Sequence, residues 1–201
     1  LDLTVVLDVG SGTGDFTERL ARVAGTVIAI EPARENLKIA RKICKDRKNV
    51  QFIGTVLEKA SNLIDGGSPT SAVAVMSLMS VETLRNFCKT LGAILPRGAS
   101  FVATITHPWF WPKYWRYENE AWFRYDREIF IEGPFAISLS RTKLWTTHIH
   151  RPLEQYITFF AQEGFQLGAL VEPMPTEEVE ALYPVQWQFP RFLGLRWEKV
   201  I

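Results

Sequence analysis

The sequence predicts an α/β protein with a doubly wound, mostly parallel seven-stranded sheet and helices on both faces. Three observations support this fold class. Short apolar, β-branched segments alternate with segments of helical spacing between residues 4 and 105. A glycine-rich loop, residues 10–14, directly follows the first apolar segment. After the fifth predicted strand, an aromatic-rich insertion at residues 107–150 interrupts the alternation, which then resumes.

The strands are predicted from apolar runs closed by glycine, proline or polar loops, a pattern typical of buried parallel strands. They cover residues 4–9, 27–31, 50–53, 72–76, 99–105, 165–171 and 192–200. Helices are predicted at residues 15–24, 32–45, 81–91 and 152–163, where apolar residues recur every three or four positions. We expect Asp15 to cap the first helix, with Phe16, Leu20 and Val23 on its buried face. Pro32 suits the start of the second helix.

Length and composition limit the class of protein. A chain of 201 residues favours one domain, here residues 1–201 with 107–150 as an insertion. No run reaches the roughly 18 to 20 apolar residues of a membrane span. Lys and Arg number 23 against 22 Asp and Glu, so no global basic field favours a nucleic-acid partner.

Cellular setting and assembly are less constrained by the sequence. The two cysteines, Cys44 and Cys88, form no CxxC pair or disulfide framework, which predicts a reducing, cytoplasmic setting. The chain starts on a hydrophobic strand without an initiating Met, so we expect further N-terminal residues in the natural protein. Monomer and homodimer are both compatible with the sequence.

The loop within VVLDVGSGTG, residues 5–14, is the leading candidate for a ligand site. Ligands of open α/β sheets bind beyond the carboxyl ends of the strands, where this loop falls. Its spacing is GxGxG, at Gly10, Gly12 and Gly14, rather than the GxGxxG that holds a dinucleotide pyrophosphate. Glu31, 19 residues after Gly12, ends the second strand, where a carboxylate can accept both ribose hydroxyls. The pattern predicts a nucleoside ligand and argues against a nicotinamide-dependent oxidoreductase.

DVGSGTGDFTERL followed by AIEP resembles the first two motifs of class I S-adenosylmethionine-dependent methyltransferases. LPRG, residues 95–98, resembles the LKPGG turn of the same family. This resemblance covers nearly the whole chain. It implies the Rossmann-like methyltransferase fold, S-adenosyl-L-methionine as cofactor and S-adenosyl-L-homocysteine as product.

The resemblance also implies roles for individual residues. Asp8 and the start of the glycine loop would line the methionine part, and Glu31 would bind the ribose. Thr55 stands where many members have an Asp that reads the adenine amino group, so backbone groups of Val56 and Leu57 are expected there instead. Ser77 to Ser80, at the end of the fourth strand, would face the methyl group. The implied cofactor-binding residues are Asp8, Gly10, Ser11, Gly12, Gly14, Glu31, Pro32, Thr55, Val56, Leu57 and Ser77.

The insertion holds 12 of the 25 Phe, Trp and Tyr residues of the chain. Small-molecule clefts are lined by aromatic surfaces with few polar groups, so the insertion is predicted to cover the acceptor. About half of these rings would instead form a second core layer. The predicted acceptor contacts are Trp109, Trp111, Tyr117, Trp122 and His148.

A general base is needed only if the acceptor must lose a proton. His107, at the carboxyl end of the fifth strand, is the first candidate, and Tyr114 is a weaker one. The alternative is that His107 bonds backbone in a structural turn. His148 and His150 would share a strand face, but no acidic or cysteine ligand pattern accompanies them, so no metal is predicted.

The leading hypothesis is methyl transfer to an O or N centre of a small apolar or aromatic metabolite. An RNA or protein methyltransferase is a second hypothesis, disfavoured by the lack of an NPPY-type motif, a PC-type nucleophilic cysteine motif and an RNA-binding module. A third is a non-catalytic partner subunit that uses the aromatic surface as an interface.

Overall fold

A computed structural model of the chain describes residues 1–64, 67–134 and 145–201. Seven strands form one sheet in the order β3-β2-β1-β4-β5-β9-β8, and two more form a separate hairpin, β6 and β7. Pairings from β3 to β5 are parallel, whereas β9 runs antiparallel to both β5 and β8. The strands are β1 Val5–Val9, β2 Thr26–Ile30, β3 Val50–Ile53, β4 Ser71–Val75, β5 Ser100–Thr106, β6 Ile129–Pro134, β7 Trp145–His150, β8 Phe165–Val171 and β9 Phe192–Lys199. The predicted fold class is confirmed.

Helices connect the strands, as the alternation predicts. Two short 3-10 turns, Ser61–Leu63 and Leu78–Ser80, also occur. The α-helices are α1 Asp15–Ala21, α2 Arg34–Ile43, α3 Leu57–Ala60, α4 Leu84–Ile94, α5 Trp111–Trp115, α6 Leu153–Gln162 and α7 Glu177–Glu180. In the described part of the chain, no helix has both the length and the apolar character needed to cross a membrane.

The core forms on both faces of the sheet because successive strand side chains point to opposite sides. On β1, Val6 packs with Leu20 and Ala21 of α1. Its neighbour Leu7 belongs to the larger cluster on the other face, with residues of α3, α4 and α6. In that cluster the rings of Phe160 and Trp197 are 4.4 Å apart. The helices therefore cover both faces and leave the carboxyl ends of the parallel strands open for a site.

The start of α1 differs from the prediction. Its N-cap is Gly14, with φ of 88°, and Asp15 occupies the first helical position without capping through its side chain. The Asp15 carboxylate instead accepts from the Thr13 hydroxyl at 2.6 Å. The helix ends at Ala21, and both Phe16 and Val23 are exposed. The predicted cap at Asp15 was wrong, because Gly14 occupies the N-cap position, and of the three residues predicted for the buried face Leu20 alone is buried.

The insertion contributes α5 and the β6–β7 hairpin. The two strands pair antiparallel, from Ile129 opposite His150 to Pro134 opposite Trp145. β7 packs against the turn Leu78–Ser80, which follows β4. The insertion thus touches the sheet at the end of β4. The part of the predicted acceptor cover at residues 135–144 lies outside the described residues.

Candidate active site

The glycine loop turns sharply after β1 and is fixed to β2. The amides of Gly10 and Ser11 both donate to the Ile30 carbonyl, at 2.8 and 3.1 Å. Gly10, Gly12 and Gly14 have φ values of 75°, 56° and 88°. These left-handed conformations disfavour residues with a Cβ, which explains glycine at each position.

The three glycines meet different surroundings. A Cβ on Gly10 would lie 2.4 Å from Cβ of Ser77, and one on Gly14 would lie 2.8 Å from Cα of Ala40. A Cβ on Gly12 would meet no protein atom within 4 Å. Gly10 and Gly14 therefore permit close packing of the protein itself, whereas the space beside Gly12 is left open.

Glu31 braces this loop from the end of β2. Its carboxylate accepts the Gly12 amide on one oxygen at 2.8 Å and the Ala33 amide on the other at 2.8 Å. Asn36 Nδ2 lies 3.5 Å from the second oxygen. A carboxylate offers about four acceptor sites, so the oxygen bonded to Gly12 can still accept from a ligand hydroxyl.

Asp8 does not occupy the position predicted for it. Its carboxylate is buried and accepts from the Thr17 hydroxyl of α1 at 2.6 Å. Burial raises the pKa of Asp8 to about 6, opposed by the Thr17 hydrogen bond and reinforced by the charge of Glu31. Asp8 thus ties β1 to α1 behind the loop, and its contact with a methionine group stays a prediction that this geometry does not support.

A cavity of about 630 Å³ lies beyond the ends of β1, β2, β3 and β4. Of the predicted cofactor-binding residues, it brings together Gly10, Gly12, Glu31, Pro32, Val56, Leu57 and Ser77. Four other predicted residues do not line it, namely Asp8, Ser11, Gly14 and Thr55. Asp8 and Gly14 serve internal packing instead.

The cavity suits a nucleoside-sized ligand. Its volume lies in the range of about 300 to 1,000 Å³ that is typical of ligand pockets. The open space beside Gly12 and the free acceptor capacity of Glu31 fit the nucleoside part of S-adenosylmethionine.

Sequence reasoning missed most of the wall that follows β4. This wall includes Met76, whose φ of 54° is unusual for a residue with a side chain. The missed lining residues are Val9, Ile30, Asn36, Glu58, Met76, Val81, Glu82, Thr83, Asn86 and Phe87, whereas Ser80 was predicted to face the methyl group and lines the cavity. The lining residues that follow β4 could have been predicted from their position between a strand and a helix, since ligands of α/β sheets bind at such connections.

His107 bonds backbone amides in a turn, as the alternative to a catalytic role predicts. Its Nδ1 accepts the amides of Trp109 and Phe110 at 3.2 and 3.3 Å. Its Nε2 therefore carries the proton and donates to Glu172 at 2.8 Å. His107 is buried and does not line the cavity. Both ring nitrogens are occupied, so the geometry does not support His107 as the base.

None of the predicted acceptor residues lines the 630 Å³ cavity. Trp109 and Trp122 are about half exposed and contact Tyr125 and Tyr117 respectively. Trp111 is buried against Phe192. The acceptor contacts at Trp109, Trp111, Tyr117, Trp122 and His148 stay a prediction, which the packing of these rings on aromatic neighbours does not support.

Tyr114, the second candidate base, lies away from the cavity as well. Its ring stacks under the Arg191 guanidinium at 4.1 Å and lines a separate surface cavity of about 280 Å³. A proton acceptor must reach the reacting group, so this position does not support Tyr114 as the base.

Tyr117 and His148 form a buried polar pair within the insertion. Tyr117 Oη lies 3.3 Å from His148 Nε2, and burial raises the pKa of Tyr117. Burial, with the nearby charge of His150, lowers the pKa of His148 to about 4. The space beside them is only about 10 Å³, enough for a single water at most. Within the described ranges, no group of three or more His, Cys, Asp or Glu could hold a metal.

Arg151 joins the insertion to the cavity wall. Its side chain is fully buried and pairs with Glu128 through Nε at 2.5 Å. Its other nitrogens donate to the carbonyls of Leu78, Val81 and Glu82. Arg151, which directly follows β7, therefore fixes the backbone of the cavity wall after β4.

Comparison with known proteins agrees with this architecture. The family described as methyltransferase domain matches residues 6–98. A mitochondrial ubiquinone biosynthesis O-methyltransferase of Arabidopsis thaliana is 35% identical over 106 residues, covering 49% of this chain and 31% of that protein. A demethylmenaquinone methyltransferase of Tropheryma whipplei is 30% identical over 110 residues, covering 51% of this chain and 42% of that protein. The chain thus spans less than half the length of these curated relatives.

Solved structures show the same fold over the whole chain. A crystal structure described as a putative S-adenosylmethionine-dependent methyltransferase from Listeria monocytogenes superposes with a TM-score of 0.76. It is 21% identical, and the match covers 100% of this chain and 92% of that one. An S-adenosylmethionine-dependent methyltransferase from Mesorhizobium loti gives a TM-score of 0.70 at 17% identity, covering 98% and 93%. Residues 6–98 thus match a methyltransferase domain, and the whole chain has the fold of these S-adenosylmethionine-dependent methyltransferases.

Proposed function

We propose that the chain transfers a methyl group from S-adenosylmethionine to an O or N centre of a small molecule. The observation that carries the proposal is the 630 Å³ cavity, in which Gly12 and Glu31 meet at the ends of adjacent parallel strands. The curated relatives named above are quinone-pathway methyltransferases, which supports a small-molecule acceptor.

The lining residues assign one end of the cavity to the nucleoside and the other to the acceptor. Glu31 would accept a ribose hydroxyl, while Val56 and Leu57, after β3, would face the adenine. Ser77 donates to the Val9 carbonyl at 2.7 Å, which fixes its position beside the glycine loop. The nucleoside is assigned to the ends of β2 and β3, and β4 lies on the other side of β1. The part of the cavity between β4 and α4 therefore remains for the acceptor.

Bound S-adenosylmethionine would supply a methyl group on a sulfonium. The acceptor lone pair would form the new bond to the methyl carbon while the bonding electrons of the carbon–sulfur bond stay on sulfur. The contribution of the chain is to align the acceptor with that group. Alignment alone can supply up to about 7 to 11 kcal/mol in well-oriented systems. A proton displaced from the acceptor would leave to solvent, since the two predicted bases lie outside the cavity.

A labelled-methyl assay tests the proposal with a panel of phenols, amines and carboxylic acids beside bulk tRNA. We expect label in at least one small product and none in tRNA. Glu31→Ala should lose transfer through weaker cofactor binding, whereas Glu35→Ala should not, because Glu35 is exposed and pairs with the exposed Lys38. Label confined to tRNA, or no transfer to any acceptor, would contradict the proposal.

A further inference from the structure

The charges around the cavity are all of one sign. Among the described lining residues, Glu31, Glu58 and Glu82 carry carboxylates, and none is Lys, Arg or His. Over the whole chain the two signs are nearly equal, with 23 basic and 22 acidic residues. The excess of negative charge is therefore a local property of this cavity.

The three carboxylates have different positions. Glu31 is already bound by the Gly12 and Ala33 amides. Glu58 lies in α3, after β3, at the end assigned to the nucleoside. Glu82 follows β4 and precedes α4, on the wall assigned to the acceptor. Of the three, Glu82 is the one placed to contact an acceptor.

The Glu82 carboxylate is available for a ligand. Its side chain is exposed to the cavity and makes no ion pair or hydrogen bond within the described ranges. Arg151 donates to the backbone carbonyl of Glu82 rather than to its carboxylate. Arg151 is also neutralised by Glu128 and fully buried. The acceptor wall therefore offers an unpaired carboxylate, with the amide of Asn86 beside it in the same lining.

We propose that the acceptor is a small molecule with a cationic amine group, which Glu82 binds as a recognition handle. This inference rests on the function proposed above and specifies its substrate class. A carboxylate or phosphate on the acceptor would be repelled by three like charges in a partly enclosed space. A cationic group would instead gain the attraction of Glu82 without displacing an existing partner.

Calorimetry of probe binding to the protein saturated with S-adenosylhomocysteine tests the preference for a cationic amine. The probes are tyramine, 4-ethylphenol and 3-(4-hydroxyphenyl)propionate, which share a phenol and differ in charge. We expect tyramine to bind about fivefold more tightly than 4-ethylphenol, the size of a partly exposed ion pair, and the propionate to bind most weakly. The preference for tyramine should shrink when salt is raised from 0.02 to 0.5 M, as screening requires.

Glu82→Gln should remove the preference for tyramine, and Glu178→Gln, on the exposed helix α7 outside the cavity, should preserve it. Equal affinities for all probes, tighter binding of the propionate, no binding of any probe, or an unchanged preference in Glu82→Gln would each overturn the inference. Titration of S-adenosylhomocysteine comes first: failure there overturns the proposed function itself, whereas binding without the charge preference overturns only the amine handle.

Discussion

Gly10 and Gly12 share a left-handed backbone but face different neighbours. Gly12→Ala meets no protein atom and should cost only the left-handed strain, about 1 to 2 kcal/mol, while lowering S-adenosylhomocysteine affinity tenfold or more. Gly10→Ala places Cβ against Ser77 and should cost a further 1 to 3 kcal/mol or so from overpacking. Urea unfolding and calorimetry measure both effects. Wild-type affinity in Gly12→Ala would show that the ligand lies elsewhere.

His148 should make the stability of the protein depend on pH. Its pKa in the folded chain is about 4, below the ordinary value of 6.5. Between these values the unfolded chain binds a proton that the folded chain does not, so stability falls as pH falls through this window. The loss from this site reaches about 3 kcal/mol at pH 4. Asp8, with its raised pKa, acts in the opposite direction below about pH 6 and masks part of the loss.

Comparison with His148→Gln isolates the histidine from Asp8. The variant keeps a polar side chain but cannot gain the proton, so its free energy of unfolding relative to the wild type should rise as pH is lowered from 7 to 4.5. Urea unfolding at the two pH values gives this difference directly. An identical difference at both pH values would contradict the buried, neutral state of His148.

At the scale of elements, Arg151 connects the insertion to the segment after β4. Arg151→Met would leave the Glu128 carboxylate and the carbonyls of Leu78, Val81 and Glu82 without this partner. Breaking a buried pair typically costs about 3 to 5 kcal/mol, which we expect to measure by urea unfolding. Arg124→Met removes only an exposed pair with Asp126 and should change stability by about 0.5 kcal/mol or less. Equal effects of the two substitutions would exclude an anchoring role.

Elements with an unambiguous apolar pattern were predictable from the sequence. The bounds predicted for β3 and β8, the two edge strands of the sheet, agree with the structure because glycine, proline or polar residues close each of these runs. The face of α1 was not predictable, since Thr17 is buried through its bond to Asp8 while Phe16 is exposed. Periodicity counts apolar residues and does not register a polar side chain buried with its partner.

The cofactor end of the site could be predicted from the sequence, whereas the acceptor end could not. Gly12 and Glu31 could be assigned because each lies within three residues of the end of a strand, and β1 and β2 are neighbours in the sheet. Glu82 could not, because its position depends on the path of the chain between β4 and α4. The acceptor-covering role of the aromatic insertion stays a prediction, because rings serve equally well in a pocket wall and in a packed layer, and those at Trp111 and Tyr117 pack.

At the scale of the whole molecule, one ligand should stabilise the entire sheet, because the cavity draws its wall from the ends of four strands. Ligand at 100 times its dissociation constant adds about 2.7 kcal/mol to the free energy of unfolding. For a chain of this size, the corresponding rise in Tm is about 5 to 11 °C. Glu31→Ala should show little rise at the same S-adenosylhomocysteine concentration, since the carboxylate that braces Gly12 is lost. A wild-type chain whose Tm does not move would instead favour a non-catalytic partner subunit that keeps the fold without the ligand.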